Sequence, residues 1–297
     1  MPNPNTPEAL SEVELNSLPT EKEILEYERH GWYISKKILP DTLLDNAILG
    51  VSEFYNGKRD FPFATTQSIA QSTGSEKELR NDEFVSLQKK EFQKIIFQPL
   101  ISAIAAKLAR TDEVRLFADS LICKYPSKVK GAIGWHTDKA YWPTCSSDNM
   151  LTAWIPLQDC TVEMGTLIHL DESNKWRDQT DFKSLLSFND HKITNFEKFL
   201  TKHKPSAKKK LMLLKKGQVS FHNCHTIHCS QVNMSNENRL AFAIHMQDRD
   251  NSYQKAYNES GVSIKIGYDD LCAKDENGLP NYRDSTIFPI LWKTNIQ

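Results

Sequence analysis

An α+β protein with a mainly β core flanked by N-terminal helices is the fold class the sequence predicts. Two observations carry this. Apolar residues recur at three- and four-residue spacing through much of the first third, whereas from Glu113 onward RLFADSLICKY, NMLTAWIPLQD, GTLIHLD, GQVSFHN and RLAFAIHMQ are short β-prone runs separated by turn residues. Many short strands without an internal repeat suit a barrel, a sandwich or a jelly roll. A chain of 297 residues can bury a sizeable core without disulfide or metal staples. One domain over residues 19–297 is expected, behind a loose arm at 1–18 that carries Pro2, Pro4 and Pro7.

Thr20 and Glu23 have capping-box spacing and predict a helix over EKEILEYERH that ends before Gly31, with WYISKKIL following as a strand. Asp41 is read as the cap of a second helix, in which Leu43, Leu44, Ala47, Ile48 and Val51 share a face. Residues 56–83 lose all periodicity in Gly, Ser, Thr and Gln and predict a long loop of the kind that borders active sites. Helical spacing returns over 90–109, where Pro99 kinks or divides the helix. The β-rich core is expected over about 113–250, interrupted at about 176–210 by an insertion with helical character at DFKSLLSF and ITNFEKFL.

Hydrophobic residues make up 39% of the chain and charged residues 25%, ordinary usage that excludes wholesale disorder. The 37 basic and 38 acidic residues leave no global field for nucleic acid or an anionic membrane, so a small molecule is the expected partner of a monomer or small homo-oligomer. LISAIAAKLA, broken by Lys107, is too short to span a bilayer, and the polar, acidic N-terminus does not read as a secretory signal. Six cysteines without a CxxC pair suggest free thiols in a reducing compartment, and TNIQ is no peroxisomal address; a cytoplasmic protein is expected. The lysines at 208–210 and 215–216 read as solvated edges of a buried strand.

GWHTDKAYWP carries the first chemical signal. Residues i and i+2 of a strand share a face, so His136 and Asp138 could offer an imidazole nitrogen and a carboxylate oxygen to one ion. Two histidines and one carboxylate form the facial triad of non-haem iron(II), so a third ligand is sought far along the chain. FHNCHTIHCSQVN supplies His222, His225 and His228, of which the three-residue spacing lets one or two reach a common centre. The remaining histidines, His30, His169, His191, His203 and His245, have no such context. Arg239 then opens an apolar run; its guanidinium is costly to bury unless a carboxylate meets it, and that carboxylate could belong to a ligand.

Together LICKYPSKVKGAIGWHTDKAYWP, MLTAWIPLQDCTVEMGTLIHL and KKGQVSFHNCHTIHCSQVNMSNENRLAFAIHMQD resemble the phytanoyl-CoA dioxygenase family of iron(II)- and 2-oxoglutarate-dependent oxygenases, with weaker support from YERHGWYISKKILPDTLLD. The resemblance implies a double-stranded β-helix, a cupin-like jelly roll. It assigns His136, Asp138 and His228 to iron(II), preferring His228 because Gly217, Asn233 and Arg239 then fall at the family's offsets. It also implies Arg239 and Lys124 as holders of 2-oxoglutarate, Trp154 as a pocket wall, and Tyr141 and Trp142 on the substrate side. With dioxygen as the other co-substrate, the activity the resemblance implies is oxidation of an unactivated C–H by hydroxylation, cyclisation or desaturation, with release of succinate and carbon dioxide; an amino-acid-derived or specialised metabolite is the expected substrate. The carboxylate of Asp138 stands against halogenation, where Gly or Ala makes room for chloride. One departure from the family pattern is DESNKW (171–176) in place of a Pro-Gly-Ser-His-like turn. A zinc hydrolase leaves Arg239 without a role and has no HExxH helix; a non-catalytic cupin-like module leaves His136 and Asp138 as plain polar residues. A nucleic-acid demethylase is disfavoured by the neutral charge and by the lack of a second arginine soon after Arg239.

Overall fold

Alternation along the strands sorts the β-rich half into an outward set that meets helices and an inward set that lines a cavity. The structure, a computed structural model, describes residues 9–63, 78–176, 181–187 and 192–294. Helices α1 (Glu12–Leu15), α2 (Glu21–His30), α3 (Asp41–Tyr55), α4 (Lys90–Ile96) and α5 (Pro99–Leu108) precede most of the sheet, and α6 (Ile193–His203) interrupts it. The strands are β1 (Trp32–Ile34), β2 (Leu79–Glu83), β3 (Glu113–Lys124), β4 (Ile133–His136), β5 (Leu151–Pro156), β6 (Leu167–Leu170) and β7 (Lys209–Leu211). They continue with β8 (Ser220–Asn223), β9 (His228–Ser230), β10 (Arg239–Asp248), β11 (Ala256–Tyr257), β12 (Ser263–Ile264) and β13 (Ile290–Lys293).

A major antiparallel sheet runs β1-β8-β5-β10-β3-β13, with β2 also on the outer edge of β3, and a minor one runs β4-β9-β6-β7. This is the mixed, mainly antiparallel fold that the sequence leads one to expect. Phe221, Ala153, Ile155, Phe242 and Ile244 face outward from the major sheet into the largest core, where Leu44, Phe92 and Ile104 of the helical flank meet them. Their sequence neighbours Ser220, His222, Thr152, Trp154, Ala243 and His245 are therefore turned inward. On the minor sheet Trp135, Leu170 and Cys229 face out under Phe196 and Leu200 of α6, and the Trp135 indole donates to Glu197 at 3.0 Å. The insertion is thus the outer cover of the minor sheet; its residues 177–180 and 188–191, including His191, lie outside the described residues.

The capping box of α2 forms as expected, and Gly31 ends the helix in the left-handed region at φ 81°. A side chain there would meet Thr226 Oγ1 at 2.5 Å, so the glycine also lets the turn between β8 and β9 approach. Pro99 does divide the helical stretch, opening α5. Three readings need revision. Asp41 is the first residue of α3 behind Pro40 and makes no cap; its carboxylate accepts from Lys37 instead. Residues 79–83, read as loop, form β2, because an edge strand needs ladder bonds to β3 rather than an apolar pattern. Within the expected arm, residues 1–8 lie outside the described part, while a second capping box at Ser11 forms α1 and Leu10 joins the core.

Phe92 sits edge-on to Phe54 at 5.3 Å and against Phe242 at 5.1 Å, tying the helical flank to the major sheet. Phe92→Ala is expected to cost about 3–5 kcal/mol in chemical denaturation. A change within about 0.5 kcal/mol would show that the flank is not packed through this ring.

Candidate metal centre

The antiparallel pairing of β4 with β9 sets His136 directly opposite His228. Their rings stand 4.1 Å apart. The chain leaves β4 after His136, and Thr137 remains extended before a short 3-10 turn begins at Asp138. Asp138 is therefore not on the strand as first read, yet one extended residue still returns its carboxylate to the inner face. One ligand atom from each of His136, Asp138 and His228 lies within 4.8 Å of the others, and all three residues are buried.

The ring orientations suit metal binding. His136 Nδ1–H donates to the Gly134 carbonyl at 2.7 Å and His228 Nδ1–H to the Thr226 carbonyl at 2.9 Å. These bonds leave each Nε2 on the side of Asp138 Oδ1, at 4.0 and 3.6 Å. Burial pushes the pKa of His136 down to about 4 and holds that of His228 well below its ordinary value, so both imidazoles are neutral ligands at pH 7. Burial opposes the charge on Asp138, but the neighbouring histidines and the hydrogen bond from His222 keep its carboxyl well below the usual range.

The second oxygen of Asp138 is clamped. Thr152 Oγ1 donates to Oδ2 at 2.6 Å and His222 Nε2–H reaches the same atom at 3.1 Å, while the Thr152 hydroxyl in turn meets His245 Nδ1 at 2.8 Å. Register explains the convergence: His245 pairs with Thr152 across β10 and β5, and Thr152 with His222 across β5 and β8. Sequence reading missed Thr152 and gave His245 no role, although both share strand parity with residues it did choose, Trp154 and Arg239. His169 was also left aside. It pairs with His228 in register, holds its ring tilted 4.8 Å from that of His222, and has no hydrogen-bond partner among the described residues. Of the closely spaced histidines, His225 turns away to Asp148.

Arg239, 1% exposed, meets no carboxylate among the described residues. Its Nη1 donates to the Gly165 carbonyl at 2.7 Å, its Nε has no partner, and its guanidinium carbon lies 5.4 Å from the centre of the Trp154 ring, whose own N–H is also without one. Gly165, at φ 63°, lets the Gln231 backbone pack against it; a side chain there would strike the Gln231 carbonyl at 2.2 Å. A cavity of about 690 Å³ joins this corner to the triad, being lined by His136, Asp138 and His228 as well as by Trp154 and Arg239. Buried donors that meet no acceptor among the described residues are matched by an anionic ligand, and a cavity of this size is in the range for small-molecule sites.

Comparison with known proteins identifies the family and the fold. The family model for phytanoyl-CoA dioxygenase (PhyH) matches residues 41–241. The chain belongs to the phytanoyl-CoA dioxygenase family. The phytanoyl-CoA dioxygenase domain-containing protein 1 homolog of Caenorhabditis briggsae is 26% identical over 171 residues, 54% of this chain and 56% of that protein, so the match spans little more than half of that curated relative. The fold is shared with the epimerase SnoN in complex with Fe3+, alpha ketoglutarate and nogalamycin RO, at TM-score 0.65 and 19% identity over 91% of this chain and 98% of that one. It is shared too with EctD from S. alaskensis with 2-oxoglutarate and 5-hydroxyectoine, at TM-score 0.61 and 14% identity over 85% and 83%.

In this member of the phytanoyl-CoA dioxygenase family the other expected residues divide. Tyr141 and Trp142 line the cavity, Trp142 edge-on to His245 at 4.9 Å. Lys124, fully buried, instead donates to Ser230 Oγ at 2.6 Å and to the carbonyls of Ser230 and Gln231; Ser230 stands between it and the cavity. The departing turn DESNKW serves the outer surface, where Asp171 accepts from the Trp32 indole and hydrogen-bonds His30.

Thr152→Val keeps the shape of the clamp but removes its donor. Titration with iron(II) or manganese(II) is expected to show affinity weakened by about ten- to a hundredfold. Unchanged affinity would mean that the hydroxyl does not hold the carboxylate in its ligating pose.

Proposed function

We propose that this chain is an iron(II)- and 2-oxoglutarate-dependent dioxygenase that oxidises an unactivated C–H of a small molecule, with release of succinate and carbon dioxide. The observation that carries the reading is one cavity holding two neutral imidazoles and a carboxylate at one place and a buried arginine without a carboxylate at another. His136, Asp138 and His228 would hold iron(II), and this donor set leaves room for a chelating co-substrate and dioxygen. Bound together, iron(II) and 2-oxoglutarate would activate dioxygen, the oxidant, one oxygen atom going into succinate and the other being left to oxidise the substrate. The protein's own part is to aim ligands, exclude water and present the substrate.

Each residue's share follows from its contacts. The Nδ1–H bonds of His136 and His228 fix the ring orientations, and Thr152 with His222 keeps Asp138 Oδ1 on the metal side. Arg239 pairs with the far carboxylate of 2-oxoglutarate in a low-dielectric corner, where a guanidinium fork matches a carboxylate. Trp154 walls that corner, and Lys124 acts by fixing β9 and Ser230 beside it. Tyr141 and Trp142 face the substrate, which we take to be amino-acid-derived or another specialised metabolite. A zinc hydrolase would use the triad but leave Arg239 buried without a partner, and a non-catalytic module would explain neither. We also place the protein in the cytoplasm, working on small molecules rather than nucleic acid or membrane. Among the described residues all six cysteines are buried free thiols and no helix is long and apolar enough to cross a membrane.

Succinate release from 2-oxoglutarate with iron(II) and oxygen tests the reading. Asp138→Ala is expected to abolish it. Arg239→Ala is expected to weaken 2-oxoglutarate binding by about a hundredfold with the fold intact. A wild-type chain that forms no succinate with any candidate substrate, or an Arg239→Ala variant with unchanged affinity, would refute the corresponding assignment.

A further inference from the structure

The face of β2 turned into the cavity carries a charge that nothing described neutralises. Leu79, Asn81 and Glu83 alternate with Arg80 and Asp82, which pair with each other on the opposite face. The Glu83 carboxylate accepts from the Tyr268 hydroxyl at 3.1 Å, and no cation among the described residues forms an ion pair with it. The second acid on this rim, Glu78, is already paired with Lys130 at 3.2 Å. Lys124 stands opposite Leu79, four residues along β3 from Ser120, the partner of Glu83, which puts it about 13 Å away along the strand.

Two more polar groups beside Glu83 lack partners. Ser120, 4% exposed, turns its hydroxyl into the same cavity and makes no side-chain hydrogen bond among the described residues. The buried carboxamide oxygen of Asn81 has none either. Tyr268 and Trp142 add aromatic walls, of the kind that attract a cation to their faces. Burial pushes the carboxyl of Glu83 above its ordinary range, as befits an anion with no positive neighbour.

We propose that Glu83, with Ser120, Asn81 and Tyr268, binds an ammonium group of the substrate, so that the enzyme oxidises a C–H of a small amine or amino acid. The assignment rests on the oxygenase reading and deepens it. With iron(II) and 2-oxoglutarate in place, the positive charges of the metal and Arg239 are matched by Asp138 and the two carboxylates of the co-substrate. Glu83 is left as the uncompensated charge, and a cationic substrate completes the balance. Arg239 is level with Lys124 and Glu83 with Ser120, so the two lie two strand spacings (about 10 Å) across and four residues (about 13 Å) along, or roughly 16 Å apart, and the amine and the co-substrate take opposite sides of one cavity.

The test uses the full chain loaded anaerobically with iron(II) and 2-oxoglutarate, whose own binding is measured in the same samples. Hexylamine, phenethylamine, L-lysine and L-tryptophan, each beside its fully N-acetylated form, are titrated by calorimetry and ligand-observed NMR. At least one free amine is expected to bind, and acetylation is expected to weaken it about tenfold or more. Glu83→Gln, which keeps the shape and the contact with Tyr268, is expected to weaken the amine about tenfold while leaving 2-oxoglutarate affinity and the unfolding midpoint unchanged. Tyr268→Phe, which removes the donor that orients Glu83, is expected to cause a smaller loss in the same direction. Intact 2-oxoglutarate binding would overturn this assignment alone if the acetylated forms bind as well, if Glu83→Gln is without effect, or if no amine binds tighter than about 10 mM. Failure of 2-oxoglutarate to bind would overturn the oxygenase reading first, and the amine site with it.

Discussion

The register between β4 and β9 is the constraint on which the site depends. It sets His136 opposite His228 and turns both rings into the space between the sheets. A slip of either strand by one residue would send its histidine to the outer face, where Trp135 and Cys229 now pack under α6. The apolar outer face therefore does more than cover the sheet: burying Trp135 and Cys229 is what keeps the two imidazoles facing inward. The same rule acts on the major sheet, where outward Phe221, Ala153 and Ile244 hold His222, Thr152 and His245 in one inward row.

Within that frame, electrostatics divides one cavity into unlike parts. Neutral imidazoles and an ionised carboxylate occupy one place; among the described residues, a guanidinium without a carboxylate occupies another, and a carboxylate without a cation the edge formed by β2. Unpaired charges at low dielectric are costly, so a fold that keeps two of opposite sign apart, rather than joining them, holds each for a ligand. The donors and acceptors left open among the described residues are the basis for the ligands we propose: a dicarboxylate at Arg239 and Trp154, and a cation at Glu83.

What could be read from the sequence, and what could not, follows from the same physics. Capping at Thr20 and Gly31 and the break at Pro99 are local, so neighbouring residues display them. The gathering of His136, Asp138 and His228 and the burial of Arg239 on the same cavity were legible because few residue types suit metal chelation or carboxylate recognition, and four of them stood in one recognisable order. Thr152, His222 and His245 meet through the pairing of three strands that are distant in sequence, and spacing along the chain does not encode that pairing. The strand β2 was invisible because LRNDE is polar on both faces, one toward the cavity and the other toward its own Arg80–Asp82 pair. Lys124 shows the converse: the chain position matches a co-substrate lysine, yet register with Arg239 beside the end of β9 directs its ammonium to Ser230.

The most direct test is the visible spectrum of the iron(II) protein as 2-oxoglutarate is added without oxygen. A keto acid chelated to iron(II) absorbs by metal-to-ligand charge transfer, so the expected result is a new visible band that needs both additions, saturates at one equivalent of each per chain, and is absent from His228→Ala. A protein that binds iron(II) and 2-oxoglutarate yet develops no such band, or a band that persists without His228, would contradict the assignment of the three residues and of the cavity they line.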